Sequence, residues 1–339
     1  MNNAVRWNPA ILLPPSVSPI LTLEFTLKVY KNISEFPGAS NVVLTTGTFD
    51  GVHLGHQKII EQLVALAKET HGESVVLTFD PHPRHVIFPD NDDLKLLHNW
   101  EEKSEELRLL GVDHLIVHPF SLQFSKITAT DYIRDLLINT LKAKHIIVGY
   151  DHQFGRNREG NFDFLKEGEL TSGYQVVEIP ALDIEAVNIS STKIRLALEN
   201  GEIEKAETYL SRPYSLQGTV IEGNAVGRGM GFPTANLDLT FKYKLIPKKG
   251  VYAVEVKNLQ NNLIYNGVMN IGFRPTLQDP IPQLHLEVHI FNFSENIYGS
   301  DLRVYFKHFI REEQKFDTLD DLKSQIKKDV EKAQNLLLL

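Results

Sequence analysis

The sequence contains no cysteine among its 339 residues. Disulfide bonds and thiol catalysis are therefore excluded, and a metal site built on thiolates is excluded with them. The absence agrees with a reducing compartment, so we expect a cytoplasmic protein. The sequence also lacks a Walker-type G-K-[S/T] segment, so a bound nucleotide must be held by another phosphate-binding design.

An excess of positive charge is the second absence. The chain carries 35 lysine and arginine residues against 43 aspartate and glutamate residues, which gives a formal net charge of −8. A general nucleic-acid-binding protein needs a basic face that releases counterions from the phosphates. We therefore expect no nucleic-acid partner, although local basic pockets remain compatible with this composition.

The third absence is an uninterrupted apolar segment near the N-terminus. Residues 1–27 include an apolar run, but Pro9, Pro14, Pro15 and Pro19 interrupt it. The segment is too short and too broken for a membrane-spanning helix, and it lacks the basic start and small-residue cleavage site of a secretory signal. We expect no membrane partner, and we interpret residues 1–27 as a flexible stub or the product of an upstream start codon.

What is present suffices for two domains, because 42% of this long chain is hydrophobic and can supply two cores. Between Lys28 and about Asn200, short apolar runs alternate with helical patterns such as 102–110 and 129–141. This rhythm predicts an α/β domain with a mostly parallel sheet covered on both faces. The five predicted strands are Val42–Leu44, Val75–Phe79, Leu115–Val117, Ile146–Val148 and Val176–Ile179.

After Arg212 and Pro213 the hydrophobic pattern changes to period two, which predicts antiparallel strands. Turn-rich intervals at fairly even spacing favour a small closed barrel, because closure removes exposed sheet edges. The predicted strands are Tyr214–Ile221, Val251–Val256, Leu263–Gly272, His285–Phe293 and Leu302–Ile310. An amphipathic helix follows, and we expect its apolar stripe to pack on the barrel. The stripe consists of Leu319, Leu322, Ile326 and Val330.

The segment G-T-F-D-G-V-H-L-G-H, residues 47–56, lies where a predicted strand turns into a helix. Its glycines free the backbone to turn, and His53 and His56 fall near the helix start, on one helical face. Free backbone N–H groups and the positive end of the helix dipole favour an anion there, and a histidine can add a hydrogen bond. The segment therefore favours phosphate binding over a histidine metal pair, which would need a third ligand.

A second candidate segment, I-S-S-T-K-I-R at 189–195, follows the fifth predicted strand and opens another helix. Its three hydroxyl groups can cap that helix. Together with free N–H groups, Lys193 and the planar fork of Arg195, they can also hold a polyphosphate. Both interpretations stay open, since one cap can do both.

The β half carries a glycine cluster, G-N-A-V-G-R-G-M-G-F-P-T-A-N, over residues 223–236. Such glycines can close a loop over phosphates, or they can form a mobile hairpin tip. Thr234 and Asn236 offer hard oxygen ligands of the kind Mg²⁺ prefers, or they form a turn before a strand. In L-H-L-E-V-H-I-F the alternation places Leu286 and Val288 on one face and Glu287 on the opposite, polar face.

Read together, six segments resemble those of the bacterial bifunctional riboflavin kinase/FAD synthetase family, in the family's order. They are G-T-F-D-G-V-H-L-G-H, T-F-D-P-H-P, V-G-Y-D-H-Q-F-G, I-S-S-T-K-I-R, G-F-P-T-A-N, and E-V-H-I-F preceded by N-I-G-x-x-P-T at 270–276. The resemblance runs from about Lys28 to the C-terminal helix. It implies riboflavin, FMN and ATP as substrates, and an FMN adenylyltransferase over 28–205 followed by a riboflavin kinase over 211–339.

For the first half the resemblance implies a Rossmann-like nucleotidyltransferase domain that joins FMN to the AMP part of ATP and releases pyrophosphate. His53 and His56 match the family's phosphate-binding catalytic histidines, and Asp151 falls where relatives often carry an asparagine that contacts the flavin. The residues that match the ATP and phosphate motifs are Gly47, Phe49, Asp50, Gly55, Ser190, Ser191, Thr192 and Arg195.

For the second half the resemblance implies transfer of the ATP γ-phosphoryl group to the riboflavin 5′-hydroxyl. Glu287 matches the carboxylate that takes the hydroxyl proton, and Thr234 and Asn236 match the family's Mg²⁺- and nucleotide-binding pair. The residues of the implied nucleotide flap are Gly227, Arg228, Gly229, Gly231 and Pro233.

Two other functions are compatible with parts of the sequence. Another small-molecule nucleotidyltransferase, acting on cytidine or pantetheine-type substrates, would use only the first half, and the barrel with P-T-A-N disfavours it. A flavin-sensing protein without catalysis would not need the full set of matching residues at both sites.

Overall fold

The computed structural model describes residues 26–90, 93–180, 189–223, 226–229, 231–274 and 283–338. All but the last two residues of the expected N-terminal stub lie outside this described part. No helix among the described residues is both long enough and apolar enough to cross a membrane.

The first half contains a parallel sheet of six strands in the order β1-β4-β3-β2-β5-β6. The five predicted strands are confirmed, each with small shifts at its ends. The sixth strand, β1, pairs with β4 at the edge of the sheet and was not predicted, because three residues are too few to give an apolar run. The strands are β1 Lys28–Tyr30, β2 Val43–Thr46, β3 Ser74–Phe79, β4 His114–His118, β5 His145–Gly149 and β6 Gln175–Ile179.

Helices cover both faces of this sheet, as predicted. Alternate residues of β2 enter two different apolar clusters, with Leu44 on one face and Val43 on the other. The α-helices are α1 Leu54–Glu69, α2 Pro83–Ile87, α3 Trp100–Leu109, α4 Ala129–Asp131, α5 Phe162–Ser172, α6 Ser191–Asn200 and α7 Ile203–Leu210. A π-helix over Tyr132–Thr140 continues α4, and single 3₁₀ turns span Ile33–Glu35, Phe124–Lys126 and Arg156–Arg158.

The strand order reverses at β2. The chain passes from β2 to β3 and β4 on one side, and later to β5 and β6 on the other side. Ligands of such sheets bind in the crevice that opens at the carboxyl ends of the strands at this switch point. The segment 47–53 leaves β2 at that end and leads into α1, so the fold places the first candidate motif at the crevice.

The second half is the predicted antiparallel barrel, closed in the order β10-β11-β8-β7-β12-β9. Inward residues such as Val254, Met269 and Val288 form its core. The strands are β7 Ser215–Ile221, β8 Ala235–Leu239, β9 Gly250–Asn258, β10 Ile264–Arg274, β11 Gln283–Ile290 and β12 Asp301–Arg311. The short helix α8, Val226–Gly229, precedes β8, and α9, Leu319–Leu337, packs Val330 and Ala333 on the barrel. The expected stripe is confirmed at Val330 but not at Leu319, which is 68% exposed.

The two halves share an apolar cluster. Ile194 and Leu198 of α6 and Leu210 of α7 belong to the same cluster of buried residues as the barrel interior. Between α7 and β7, Ser211 adopts a left-handed conformation with φ of 60° and accepts a hydrogen bond from Gln57 at 2.9 Å. The linker is thus fixed against the helix that follows the first candidate motif.

Candidate active sites

The turn between β2 and α1 needs glycine at one position for two reasons. Gly51 has φ of 87°, in the left-handed region that other residues avoid. A Cβ atom there would lie 2.6 Å from Cδ1 of the buried Leu97. Gly47 lies at the carboxyl end of β2, where its N–H donates to the carbonyl of Leu77 at 3.0 Å. Gly55 is buried in the first turn of α1.

The two histidines of this segment are stacked at the start of α1. His53 is the N-cap, and its Nδ1 accepts the backbone N–H of His56 at 3.3 Å. The ring centroids are 3.7 Å apart, and the Phe49 ring meets His56 edge-on at 5.3 Å. Because Nδ1 of a neutral His53 accepts a hydrogen bond, its proton is on Nε2, which is left as an N–H donor.

Burial keeps both imidazoles neutral near pH 7. It lowers the pKa of His53 to about 4, with a smaller contribution from the charge of Arg212. The pKa of His56 lies well below its ordinary value, again mainly because of burial and then because of His53. The Nδ1 atom of His56 is buried and has no hydrogen-bond partner within the described part of the chain. The pair therefore presents polar ring atoms at a helix N-terminus.

The second motif meets the first through Asp50. The carboxylate of Asp50 pairs with the guanidinium of Arg195, and Ser191 donates its hydroxyl to the backbone carbonyl of Asp50 at 2.8 Å. Ser190 caps α6 by accepting the N–H of Lys193 at 3.3 Å, which confirms the predicted capping role for this one of the three hydroxyls. Thr192 is exposed in the first turn. The two motifs, about 140 residues apart in sequence, thus form one cluster.

Asp50 positions Arg195 in this cluster rather than contacting a phosphate itself, because a carboxylate and a phosphate repel each other. It is 4% exposed and also accepts the N–H groups of Leu97 at 2.9 Å and His98 at 3.2 Å. Burial raises the pKa of Asp50, and the charges of Arg195 and Lys103 oppose that rise. The phosphate-binding role predicted for Asp50 from the motif therefore stays a prediction, in which Asp50 acts only by holding Arg195.

Sequence reasoning missed Lys103 and did not assign a role to His82. Lys103 lies in α3, is buried, and donates from Nζ to the carbonyl of Thr48 at 2.6 Å and to Thr78 Oγ1 at 3.0 Å. It lines a small cavity together with His82, Asp50 and the N-cap residue Asn99. Burial lowers the pKa of Lys103 to about 8 and that of His82 to about 3. Only F-D-P-H-P signalled this region, because Lys103 has the appearance of an ordinary helix-surface lysine.

The flavin candidate Asp151 is exposed in the turn after β5, at the carboxyl edge of the sheet. Its neighbour His152 stacks on Phe154 with centroids 5.8 Å apart. Burial lowers the pKa of His152 to about 4, and the charge of Asp151 opposes that shift. The position agrees with a ligand at this edge, and the flavin contact itself stays a prediction.

In the barrel, strand register brings three polar residues together. Glu287 of β11 pairs with Asn236 of β8 on one side and with Asn270 of β10 on the other. Directly paired residues on neighbouring antiparallel strands share one face of the sheet. Glu287 is only 8% exposed, so its carboxylate is largely withdrawn from water. The sequence pattern found Glu287 and Asn236, while Asn270 was quoted only as part of a motif.

A cavity of about 490 Å³ is lined by Ala235 and Val288, the strand neighbours of Asn236 and Glu287. Because successive strand residues point to opposite faces, Asn236 and Glu287 lie on the other face of the sheet. Pro233 and Thr234 also line the cavity, together with Val220 and Tyr298. Thr234 directly precedes β8 and Asn236 lies inside the strand, so Asn236 does not form the turn that the sequence left open. The carbonyl of Pro233 is hydrogen-bonded to Nδ1 of His289 at 2.7 Å, which fixes the segment against β11.

The glycines before β8 allow close packing. A Cβ atom on Gly223 would lie 2.0 Å from Nδ2 of Asn236, and one on Gly227 would lie 2.3 Å from the carbonyl oxygen of Phe232. Gly229 and Gly231 have open space around them, and Gly231 has φ of 87°. The side chain of the flap residue Arg228, residues 275–282 of the N-I-G-x-x-P-T region and residues 181–188 lie outside the described part.

The described residues contain no group of three or more histidine, cysteine, aspartate or glutamate side chains that could hold a metal ion. Thr234 and Asn236 fit Mg²⁺ in another way. Thr234 lines the cavity and Asn236 pairs with Glu287 in the ladder. Their side-chain oxygens are ligands of the kind that can supplement water and nucleotide phosphates around Mg²⁺.

Two family models match the chain in tandem. The FAD synthetase model matches residues 36–193, and the riboflavin kinase model matches residues 210–337. A bifunctional riboflavin kinase/FMN adenylyltransferase of Haemophilus influenzae is 43% identical over 290 residues, which cover 86% of this chain and 92% of that relative. The protein of the same description from Bacillus subtilis is 36% identical over 292 residues, covering 86% and 91%.

A solved structure resembles most of the molecule, across both halves. It is that of a Streptococcus pneumoniae protein described as a macrolide-efflux protein, which is 33% identical and superposes with a TM-score of 0.81 over 91% of this chain and 99% of its own. The order of the two matching models is also the order of the parallel sheet and the barrel. The chain therefore belongs to the bifunctional riboflavin kinase/FMN adenylyltransferase family, with a FAD synthetase domain followed by a riboflavin kinase domain.

Proposed function

We propose that this chain makes FMN from riboflavin and then FAD from FMN, each step consuming ATP at a separate site. The observation that carries the proposal is the separation of the two polar clusters. His53, His56 and Arg195 gather at the crevice of the parallel sheet, and Asn236 and Glu287 pair in the barrel. We assign adenylyl transfer to residues 28–205 and the kinase to 211–339, in the cytoplasm, where ATP is available.

In the adenylyl step an oxygen of the FMN phosphate attacks the α-phosphorus of ATP, and the bond to the leaving pyrophosphate breaks. The protein needs no covalent nucleophile for this, only alignment of two anions and stabilisation of the developing charge. Arg195, held by Asp50 and by the carbonyl of Lys95, supplies a positioned guanidinium whose remaining N–H groups can donate to phosphate. Neutral His53 and His56 donate hydrogen bonds at the N-terminus of α1, and Lys103 adds a buried positive charge.

In the kinase step the riboflavin 5′-oxygen bonds to the γ-phosphorus of ATP while the bond to ADP breaks. Glu287 takes the hydroxyl proton, a task that suits a positioned and largely buried carboxylate. Asn236 and Thr234 would hold Mg²⁺, which supplies charge neutralisation on the phosphates when it is bound. The cavity of about 490 Å³ that Thr234 lines has room for part of the nucleotide.

The proposal is tested by incubating the purified chain with riboflavin, ATP and Mg²⁺ and separating the flavins by chromatography. FMN should appear first and FAD afterwards. Two variants then separate the sites. His56→Ala should stop FAD formation while FMN accumulates, because it removes a phosphate-binding group of the first site only. Glu287→Ala should stop FMN formation, yet still convert supplied FMN to FAD.

Each alternative has its own result in this assay. Flavin binding without any FMN would indicate a sensor, and transfer of AMP to a substrate other than FMN would indicate a different nucleotidyltransferase. If either substitution abolished both steps in a folded chain, the assignment of one site to each half would be wrong.

A further inference from the structure

One short segment, Lys95–His98, lies between the two halves and is bonded to both. On the barrel side Leu96 pairs with Lys244 as a single parallel bridge. The Leu96 N–H donates to the carbonyl of Tyr243 at 2.7 Å, and the Leu96 carbonyl accepts the N–H of Leu245 at 2.9 Å. The loop before β9 therefore fixes the backbone of this segment.

On its other side the same segment holds the Asp50 and Arg195 pair. The carbonyl of Lys95 accepts Nε–H of Arg195 at 2.7 Å. The N–H groups of Leu97 and His98 both donate to Oδ1 of Asp50, at 2.9 and 3.2 Å. Bonds to the barrel and bonds to the pair thus alternate along the segment, so a shift on one side moves the other.

The side chain of Lys244 anchors the middle of the segment. Its Nζ donates to the carbonyl of Leu97 at 2.8 Å and to both carboxylate oxygens of Glu102 at 2.7 Å. Lys244 is 4% exposed, and Glu102 is buried too. Burying such a pair costs desolvation free energy, which close geometry and the further hydrogen bond to Leu97 offset. Leu97 accepts from Lys244 at its carbonyl and donates to Asp50 from its N–H.

We propose that Lys244, in the loop before β9 of the kinase half, is a positioning residue for the adenylyltransferase site. Through the backbone of Leu97 it fixes Asp50, and Asp50 fixes the guanidinium of Arg195 that receives the ATP phosphates. The inference rests on the function proposed above, because it takes Arg195 as the phosphate-binding group. It also means that the first site is completed only when the second domain is docked on it.

The test is steady-state kinetics on the full-length Lys244→Met chain, with the two steps measured separately. The KM for ATP in FAD formation should rise about tenfold, since a small misplacement of a positioning group has costs of this order or larger. The KM for FMN should not change, and neither should kcat or the KM for ATP in the kinase step. A loss of folded protein would instead lower kcat in both steps and leave every KM unchanged.

Two matched variants make the result decisive. The double variant Lys244→Met, Glu102→Gln removes the carboxylate charge that the single variant would leave buried and unpaired. The glutamine oxygen can still accept the backbone N–H of Asn99, the N-cap of α3, as Glu102 does at 3.0 Å. This double variant should fold even if the single variant does not, and should still show the raised KM. Arg303→Met breaks a neighbouring ion pair between the halves, at 2.6 Å to Glu105, and should leave the KM for ATP unchanged.

The proposal is overturned if the double variant has the KM of the unmodified chain, because Lys244 would then only neutralise Glu102. It is also overturned if Arg303→Met raises the KM equally, because any loosening between the halves would then suffice. Failure of the proposed function itself looks different, since the unmodified chain would then form no FAD from FMN and ATP.

Discussion

The two halves of this chain build their candidate sites in different ways. In the parallel-sheet half the polar groups come from four separated segments, and buried hydrogen bonds between loops hold them together. In the barrel the groups come from neighbouring strands, and the register of the ladder sets their order, with Glu287 between Asn236 and Asn270. A site of the first kind depends on many tertiary contacts, whereas a site of the second kind depends on strand pairing.

The largest effect should come from removing the arginine that the first site is built around. We expect Arg195→Ala to lower FAD formation by about 10²–10³-fold, the range typical of deleting a donor aimed at developing charge. FMN formation by the same chain should not change, since Arg195 lies outside the barrel. Flavin chromatography of both steps measures this directly. An equal loss of the kinase step would show that the two sites are not separable.

The second prediction concerns acid stability, which should distinguish the halves. The pKa of His53 is lowered to about 4 by burial, whereas an unfolded chain binds this proton near its ordinary value of 6.5. The free energy of unfolding is therefore unaffected at pH 7, and falls as the pH falls from 6.5 towards 4. The shift corresponds to at most about 3 kcal/mol for this one residue.

Thermal unfolding between pH 7 and 4 measures this dependence. The described histidines with lowered pKa values lie in the first half, so it should lose structure first; they are His53, His56, His82, His98, His118 and His152. A His53→Gln chain should be less sensitive to acid, and His71→Gln, at an exposed position, should not differ from the unmodified chain. Equal sensitivity of the His53 variant would contradict the assignment.

Substitutions at two glycines test whether close packing before β8 holds Asn236 in place at the kinase site. Gly223→Ala should lower FMN formation about tenfold, because its Cβ would lie 2.0 Å from Nδ2 of Asn236 and push that side chain from its place. Gly229→Ala, in the implied nucleotide flap, is the comparison that stiffens the same loop without a new contact, since nothing lies within 4 Å of a Cβ there. FMN formation rates and the KM for ATP in that step provide the measurement. Equal effects at both positions would implicate loop flexibility instead.

The sequence predicted the barrel site more completely than the crevice site, and the reason is physical. Period-two alternation is a local property, so Leu286, Glu287 and Val288 could be assigned to their faces before any pairing was known. Strand β8 was not predicted, because A-N-L-D-L is short and lies next to a glycine-rich loop. The place of Asn270 beside Glu287 could be known only from the pairing register of β10 and β11, which the sequence of a single strand does not determine.

In the crevice the helix N-terminus at His53 was predictable from glycines, a strand and a helical stripe. The partnership of Asp50 with Arg195 was not, because it depends on a contact across 145 positions. Lys103 was missed for the same reason. Its neighbours in sequence are helix-forming charged residues, and only the docking of α3 against Thr48 and Thr78 turns it into a buried cation.

The smallest expected effect is a pH dependence of the first site that the second should not share. Burial lowers the pKa of Lys103 to about 8, so the ammonium is charged below that pH and loses its proton above it. If the charge assists ATP binding, kcat/KM for FAD formation, which reports the free enzyme, should halve near pH 8 and fall about tenfold by pH 9. Lys103→Met should be slow at every pH and lack this pH dependence, because no titrating group remains.

The kinase reaction, measured over the same pH range, is the control. If its rate fell in parallel, the titrating group would be a feature common to both halves rather than Lys103. The two sites would then not differ in the way expected from a buried cation at the first site only.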